Sequence, residues 1–223
     1  SNVGKTSLLS RFTEDVFKES YPDITAVSAL FLPPLFKKNN NNNSQALTFS
    51  PLTPSSFMSM LLFPLFVHIQ KTRQVDLAGK QIKVIILDTE GQEKFHTLTR
   101  TAYQGISGVM MAFDLTSKAS FADLSHWLEE FKRYCNEPNV PKVLVGNKLD
   151  LLETIPVAEA PAKLVSVAEA NTFAQGAVME GFYQTSAKDN VNVLEAYSAL
   201  ITAIFDRQFP HLRRHTQSCC ALL

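Results

Sequence analysis

An α/β fold, a doubly wound and mostly parallel sheet with helices on both faces, is predicted by three observations. Short apolar runs at Val109 to Phe113 and Val143 to Val145 end in Asp114 and Gly146, as buried parallel strands do when polar residues emerge at their C-terminal ends. Helical stretches at Phe121 to Tyr134, Val165 to Ala174 and Val193 to Phe205 alternate with them, which implies strands joined by crossovers. The chain opens on Ser1-Asn2-Val3-Gly4-Lys5-Thr6-Ser7, the second half of a glycine-containing phosphate-binding loop.

The 223 residues suffice for one such domain with an excursion or a tail. Basic and acidic residues balance at 21 each, so no overall field recruits nucleic acid or an acidic membrane, and membrane association would need a local device. Cys135 stands alone while Cys219 and Cys220 are adjacent, a pattern that suits neither a disulfide framework nor a zinc site and points to a reducing, cytosolic setting. The histidines at 68, 96, 126, 211 and 215 lack metal-ligand spacing and read as surface or packing residues.

In chain order, the opening motif comes first. The first glycine of G-x-x-x-x-G-K-[ST] would stand five residues before Gly4, so the first strand of the sheet is expected to be missing. Leu8, Leu9, Phe12 and Val16 predict a helix over Ser7 to Phe17, and Tyr21 to Thr25 leave it in a loop. From Ala26 to His68 the composition changes, with asparagines from Asn39 to Asn43 and prolines at 33, 34, 51, 54 and 64. No regular element is expected there, and the segment reads as an anomalous insertion that cannot join the sheet. A gene-model artefact such as a retained intron is the preferred explanation, a functional loop insertion the other. Its most apolar part, Phe57 to Val67, is too short for the roughly twenty residues that span a bilayer and contains Pro64. Strand-like runs at Ile69 to Asp76 and Gln81 to Asp88 flank Leu77-Ala78-Gly79-Lys80 and predict a β-hairpin. Trp127, with Leu124, Leu128 and Phe131 at helical spacing, reads as core, and Cys135 ends that helix.

Four stretches carry chemistry. In the opening motif, backbone N–H groups from Asn2 through Val3 and Gly4 to Ser7 would surround phosphates, with Lys5 reaching the β- and γ-phosphate oxygens and the Thr6 hydroxyl on Mg²⁺. The helix that follows turns its positive end to the anion. In Asp88-Thr89-Glu90-Gly91-Gln92, Asp88 would hold Mg²⁺ through water, Gly91 would offer its N–H to the γ-phosphate and Gln92 would orient an attacking water. In Asn147-Lys148-Leu149-Asp150, the Asp150 carboxylate can accept from guanine N1 and N2, which adenine cannot supply. There the Lys148 stem can lie over the base and Asn147 can tie the loop to the first motif. In Thr185-Ser186-Ala187-Lys188, the Ala187 N–H could meet the guanine O6. Each alone has a bland reading: a loop-to-helix junction for Gly-Lys-Thr, a strand-ending acidic turn for Asp88 to Gln92.

Together and in this order the four stretches resemble the small GTPases of the Ras superfamily. Phe95-His96-Thr97-Leu98-Thr99, Tyr103, Trp127-Leu128 and Val145 to Asp150 are similar to the Rab branch in particular. The resemblance covers Ser1 to about Thr25 and Ile69 to the C-terminus. It implies the P-loop GTPase fold, a G-domain over 1–206 interrupted at 26–68, with GTP or GDP and Mg²⁺ as ligands and slow GTP hydrolysis as the activity. It further implies a switch in vesicle trafficking at the cytoplasmic face of endomembranes, cycling with the cytosol. The partners implied are an exchange factor, a GTPase-activating protein, effectors and prenyl-chaperone proteins. By the same resemblance Phe17 packs against the guanine, Ser186 and Lys188 belong to the base-binding loop, and Thr25 is the switch I ligand to Mg²⁺, one residue later than the family places it. Glu90 stands where the family usually has alanine and could slow hydrolysis or simply point outward, which leaves a non-hydrolysing guanine-nucleotide module as the alternative, and an inactive fragment as a third. The tail, 207–223, is expected to be flexible and ends in Ser218-Cys219-Cys220-Ala221-Leu222-Leu223, a prenylation box with Cys220 as acceptor and Cys219 as a second site. Arg207, Arg213 and Arg214 would add a weak attraction to anionic lipid.

Overall fold

The computed structural model describes residues 3–17, 28–31, 69–77, 79–88, 105–137, 139–156 and 163–210, with backbone only at 28–31, 69 and 70. Helix α1 is Lys5–Glu14. It begins two residues before the expected start, because Gly4 in the left-handed conformation (φ 81°) turns the chain directly into it. A Cβ on Gly4 would lie 2.5 Å from Asn147 Nδ2, so the close approach also requires glycine there. The helix ends early, at Glu14, because Asp15 adopts φ 54° and donates its N–H to the Arg11 carbonyl.

Among the described residues six strands follow: β1 Ser28–Phe31, β2 Ile69–Leu77, β3 Lys80–Asp88, β4 Gly108–Asp114, β5 Lys142–Asn147 and β6 Phe182–Gln184. They pair in the order β2-β3-β1-β4-β5-β6. The predicted hairpin is present, with Ile69 opposite Asp88 and Leu77 opposite Lys80, and Gly79 at φ 71° in its turn donates to Asp76 Oδ1. Strands β4, β5 and β6 are parallel.

The expectation that 26–68 cannot join the sheet is overturned at β1. Ser28 to Phe31 lie antiparallel to β3, from Asp88 to Ile85, and Ser28 to Leu30 antiparallel to β4, from Met110 to Gly108. The proline argument fails locally because Pro33 and Pro34 come just after the strand and none lies within it. Between β3 and β4, which run the same way, the segment pairs with two rows of backbone donors and acceptors that would otherwise be left without partners. The sheet is therefore mixed at its centre, with β1 and β2 running against the other four strands.

Among the described residues three further α-helices complete the layers: α2 Lys118–Tyr134, α3 Val167–Gly176 and α4 Val193–Gln208. Helix α2 starts three residues before the predicted point because the Ser117 side chain caps it, accepting from the Ser120 N–H. A reciprocal capping box between Ser166 and Glu169 opens α3. Alternation along the strands then sorts the core into two. Met110, Val143 and Val145 face α1 and α4, meeting Leu8, Leu9, Phe12, Tyr197 and Leu200. Val109, Met111, Phe113 and Leu144 face α2 and α3, meeting Leu124, Leu128, Phe131, Ala170 and Ala174. Each fully buried Leu or Phe in these layers contributes about 2 kcal/mol. Trp127 is only partly buried, at the margin of the second core. Cys135 does end α2, buried, with its N–H on the Phe131 carbonyl.

One boundary needs correction. Arg207 was expected in the tail, but α4 continues to Gln208, and the Arg207 guanidinium meets Glu137 at 3.6 Å and donates to the Asn139 carbonyl.

Candidate functional site

The C-terminal ends of β3, β4 and β5, the loop after β6 and the first turn of α1 converge at one end of the sheet. At the α1 end, Lys5, Thr6 and Ser7 are buried, unusual for polar residues in a first helical turn unless something polar faces them. The Thr6 hydroxyl donates to Asp88 Oδ2 at 2.7 Å. The other carboxylate oxygen, Oδ1, is buried without a hydrogen-bond partner, and Asp88 as a whole is only 1% exposed. Burial pushes the Asp88 carboxyl above the usual carboxylate range, against the opposing pull of the Lys5 ammonium, the Thr6 hydroxyl and the Lys71 ammonium. A buried carboxylate oxygen with no partner, next to a threonine hydroxyl, is a donor set that fits a hard divalent cation.

At the other end of the site, Asn147 is the hub. Its Nδ2 donates to the Val3 carbonyl at 2.9 Å, while its Oδ1 accepts from the Thr185 hydroxyl at 3.3 Å and the Ala187 N–H at 3.2 Å. The stretch Asn147 to Asp150 is thereby joined to both the opening motif and the last motif. The Ala187 N–H, expected to face the base, is thus already engaged, and a base oxygen would have to share it or take it over. Asp150 sits in the 3-10 helix Leu149–Thr154, its Oδ1 accepting the Ser186 hydroxyl at 2.8 Å. A backbone bond from Leu149 N–H to the Thr185 carbonyl, 3.0 Å, holds the two loops together. The Lys188 side chain is exposed; the fold uses its carbonyl, which accepts from Arg11. Phe17 is half-buried against the α1 and α4 core.

Sequence reasoning missed Asp114 as a partner in this site. Lys148, left-handed at φ 66°, sets its Nζ 2.7 Å from Asp114 Oδ2, and Asp114 Oδ1 accepts both the N–H and the hydroxyl of Thr116. A usable signal existed, since two parallel strands of similar run length both ending in a polar residue place those ends side by side, and Asp114 does pair with Asn147. Of the other expected site residues, Asn2, Thr25, Gly91, Gln92, Cys219 and Cys220, together with Glu90, lie outside the described residues.

Residues 65–206 match the family model described as the Ras family. The GTP-binding protein yptV2 of Volvox carteri is 33% identical over 207 residues, covering 93% of this chain and 72% of the relative. The GTP-binding protein YPTM1 of Zea mays is 40% identical over 204 residues, covering 92% of this chain and 74% of the relative. With the motifs gathered at one edge of the sheet and these likenesses running along most of the chain, the protein belongs to the Ras family, as a small GTPase of its Rab branch.

Proposed function

We propose that the chain binds GTP and GDP with Mg²⁺ across this site and acts as a switch in vesicle or membrane trafficking. The observation that carries the reading is the join made by Asn147 between Val3, just before α1, and the Thr185 to Ala187 loop, whose Ser186 donates to the Asp150 carboxylate. Lys5 and the N–H groups from Asn2 to Ser7 would take the phosphates at the positive end of α1. Asp150 would accept from guanine N1 and N2, with the Lys148 stem over the base and Phe17 and the Ser186 to Lys188 loop around it. Thr6 and Asp88 would hold Mg²⁺, and the bound ion supplies charge neutralisation at the phosphate oxygens. Thr25, which lies outside the described residues, is a third candidate ligand on the family resemblance. Gly91 would offer its N–H to the γ-phosphate and Gln92 would orient the attacking water.

Switch loops ordered by GTP and released on hydrolysis would be read by effectors, an exchange factor and an activating protein. The G-domain would extend to the end of α4 at Gln208, and a prenyl group on Cys220, with Cys219 as a second site, would hold the protein on the cytoplasmic face of an endomembrane. A buried lipid contributes about 0.8 kcal/mol per CH₂, so Cys220→Ser should move the protein to the soluble fraction with GDP binding intact. Sedimentation of that variant with membranes in high salt would put the anchor elsewhere.

The test of the central reading is displacement of a fluorescent GDP by GTP, GDP and ATP, followed by phosphate release from bound GTP. Selective displacement by guanine nucleotides with slow release is expected. Equal displacement by ATP defeats the reading, whereas selective binding without release gives it to the non-hydrolysing module.

A further inference from the structure

Among the described residues, Arg11 reaches from α1 to the last motif with an array of hydrogen bonds, and it carries no role in the nucleotide site proposed above. Its side chain is 14% exposed. Nε donates to the Ala187 carbonyl and Nη2 to the Lys188 carbonyl, each at 2.9 Å. Nη1 donates to both the carbonyl and Oδ1 of Asp15 at 3.0 Å, and that same Oδ1 accepts from Asn190 Nδ2 at 3.3 Å. A planar guanidinium therefore grips two successive carbonyls of the loop that follows Ser186, which a single ammonium could not do.

The grip continues inward. The Lys188 carbonyl and the Asp189 N–H belong to one rigid peptide plane, so fixing the carbonyl on Arg11 directs the N–H to the opposite side. There it donates to Ser186 Oγ at 3.0 Å. With a lone pair so occupied, the Ser186 hydroxyl directs its proton to Asp150 Oδ1 at 2.8 Å. The loop itself is closed by reciprocal backbone bonds between Ser186 and Val191, at 3.1 and 3.0 Å, so its base is rigid and its crest is what Arg11 restrains. Lys5 and Arg11 lie six residues apart on α1, about 9 Å along the axis.

We infer that Arg11 is a positioning residue that aims the Asp150 carboxylate through the Lys188–Asp189 peptide and Ser186, and so sets both guanine discrimination and the rate of nucleotide release. The inference rests on the base-binding reading proposed above. It also makes α1 the element that fixes the distance between phosphate and base recognition, with Lys5 at one end and Arg11 toward the other.

The experiment compares the full chain with Arg11→Ala and Arg11→Lys by the dissociation rate of fluorescent GDP and by the affinity ratio of GDP to inosine diphosphate, which lacks the 2-amino group that Asp150 would accept. Losing hydrogen bonds from a charged donor should speed GDP release about tenfold in Arg11→Ala and shrink the ratio several-fold, with Arg11→Lys between. In a Ser186→Ala background, where the relay is already cut, Arg11→Lys should change the ratio no further; a purely structural role would give additive losses and overturn the inference. If the unmutated chain prefers GDP and the Arg11 variants keep rate and ratio within about twofold, Arg11 is not the aiming residue and base recognition stands. If the unmutated chain shows no preference, base recognition itself fails and the inference falls with it.

Discussion

The two ends of the site are built on opposite principles. At the base end the polar groups satisfy one another before any ligand arrives: Asn147 Oδ1 with Thr185 and Ala187, Asp150 with Ser186, Lys148 with Asp114. At the phosphate end Asp88 keeps one oxygen buried with no partner, and Lys5 and Thr6 are buried beside it. A network closed on itself is rigid, so the end proposed to read the base is preorganised by the fold. A buried carboxylate with an unmet lone pair is destabilising until a cation completes it, so the phosphate end is completed by its ligands. On the proposed reading, recognition of the base would be folded in, while response to the phosphate would depend on what is bound.

The largest effect that separates these ends should come from Asp150→Asn. An amide can offer only one acceptor to the two guanine donors and turns an N–H toward them, while the C2 oxygen of xanthine can accept that N–H. GTP affinity should fall about a hundredfold and xanthosine triphosphate should gain, because the penalty is a buried polar group left unmatched. Ser186 can still donate to the amide oxygen, so melting temperature should hardly change. Competition titrations with both triphosphates read this directly; an equal loss for both would mean that the carboxylate supports the loop and does not read the base.

The elements most legible in the sequence were those whose neighbours in space are also regular. The hairpin from Ile69, strands β4 and β5 and the helices α2 and α4 follow from alternation and helical periodicity, because each packs one apolar face on a core that the same residues define. Boundaries moved where caps decide, through the Ser117 side chain at one helix and the left-handed backbone of Asp15 at another. Strand β1 was illegible for a different reason. Four residues carry too little pattern to announce a strand, and what recruits them is the pair of backbone edges on β3 and β4, a tertiary cause absent from local sequence. In the site, each motif could be read as a chemical role, and Asp114 was reachable only through the strand alignment that sets it beside Asn147; Arg11 could not be read, since it acts through carbonyls brought near only by the fold.

A smaller effect should appear at the phosphate end. Asp88 has its carboxyl pushed up by burial, so its ionised form costs stability in the ligand-free protein. The sign follows from which state protonates more readily: below the ordinary carboxylate value, about 4, folded and unfolded chains are both protonated and the cost is absent. As pH rises past that value the unfolded chain ionises first, and stability from this group falls until the folded carboxyl has also ionised. Asp88→Asn removes the charge while an amide oxygen can still accept from Thr6. Without Mg²⁺ at neutral pH the variant should therefore match or exceed the unmutated protein by about 1 kcal/mol, roughly 3 °C in melting temperature for a chain of this size. Added Mg²⁺ should raise the melting temperature of the unmutated protein and leave Asp88→Asn unmoved, because the partner for Asp88 Oδ1 is then no longer needed. In acid the two melting curves should converge. An equal response of both proteins to Mg²⁺ would remove Asp88 from the cation site, and with it the contrast between an end satisfied by the fold and an end completed by its ligand.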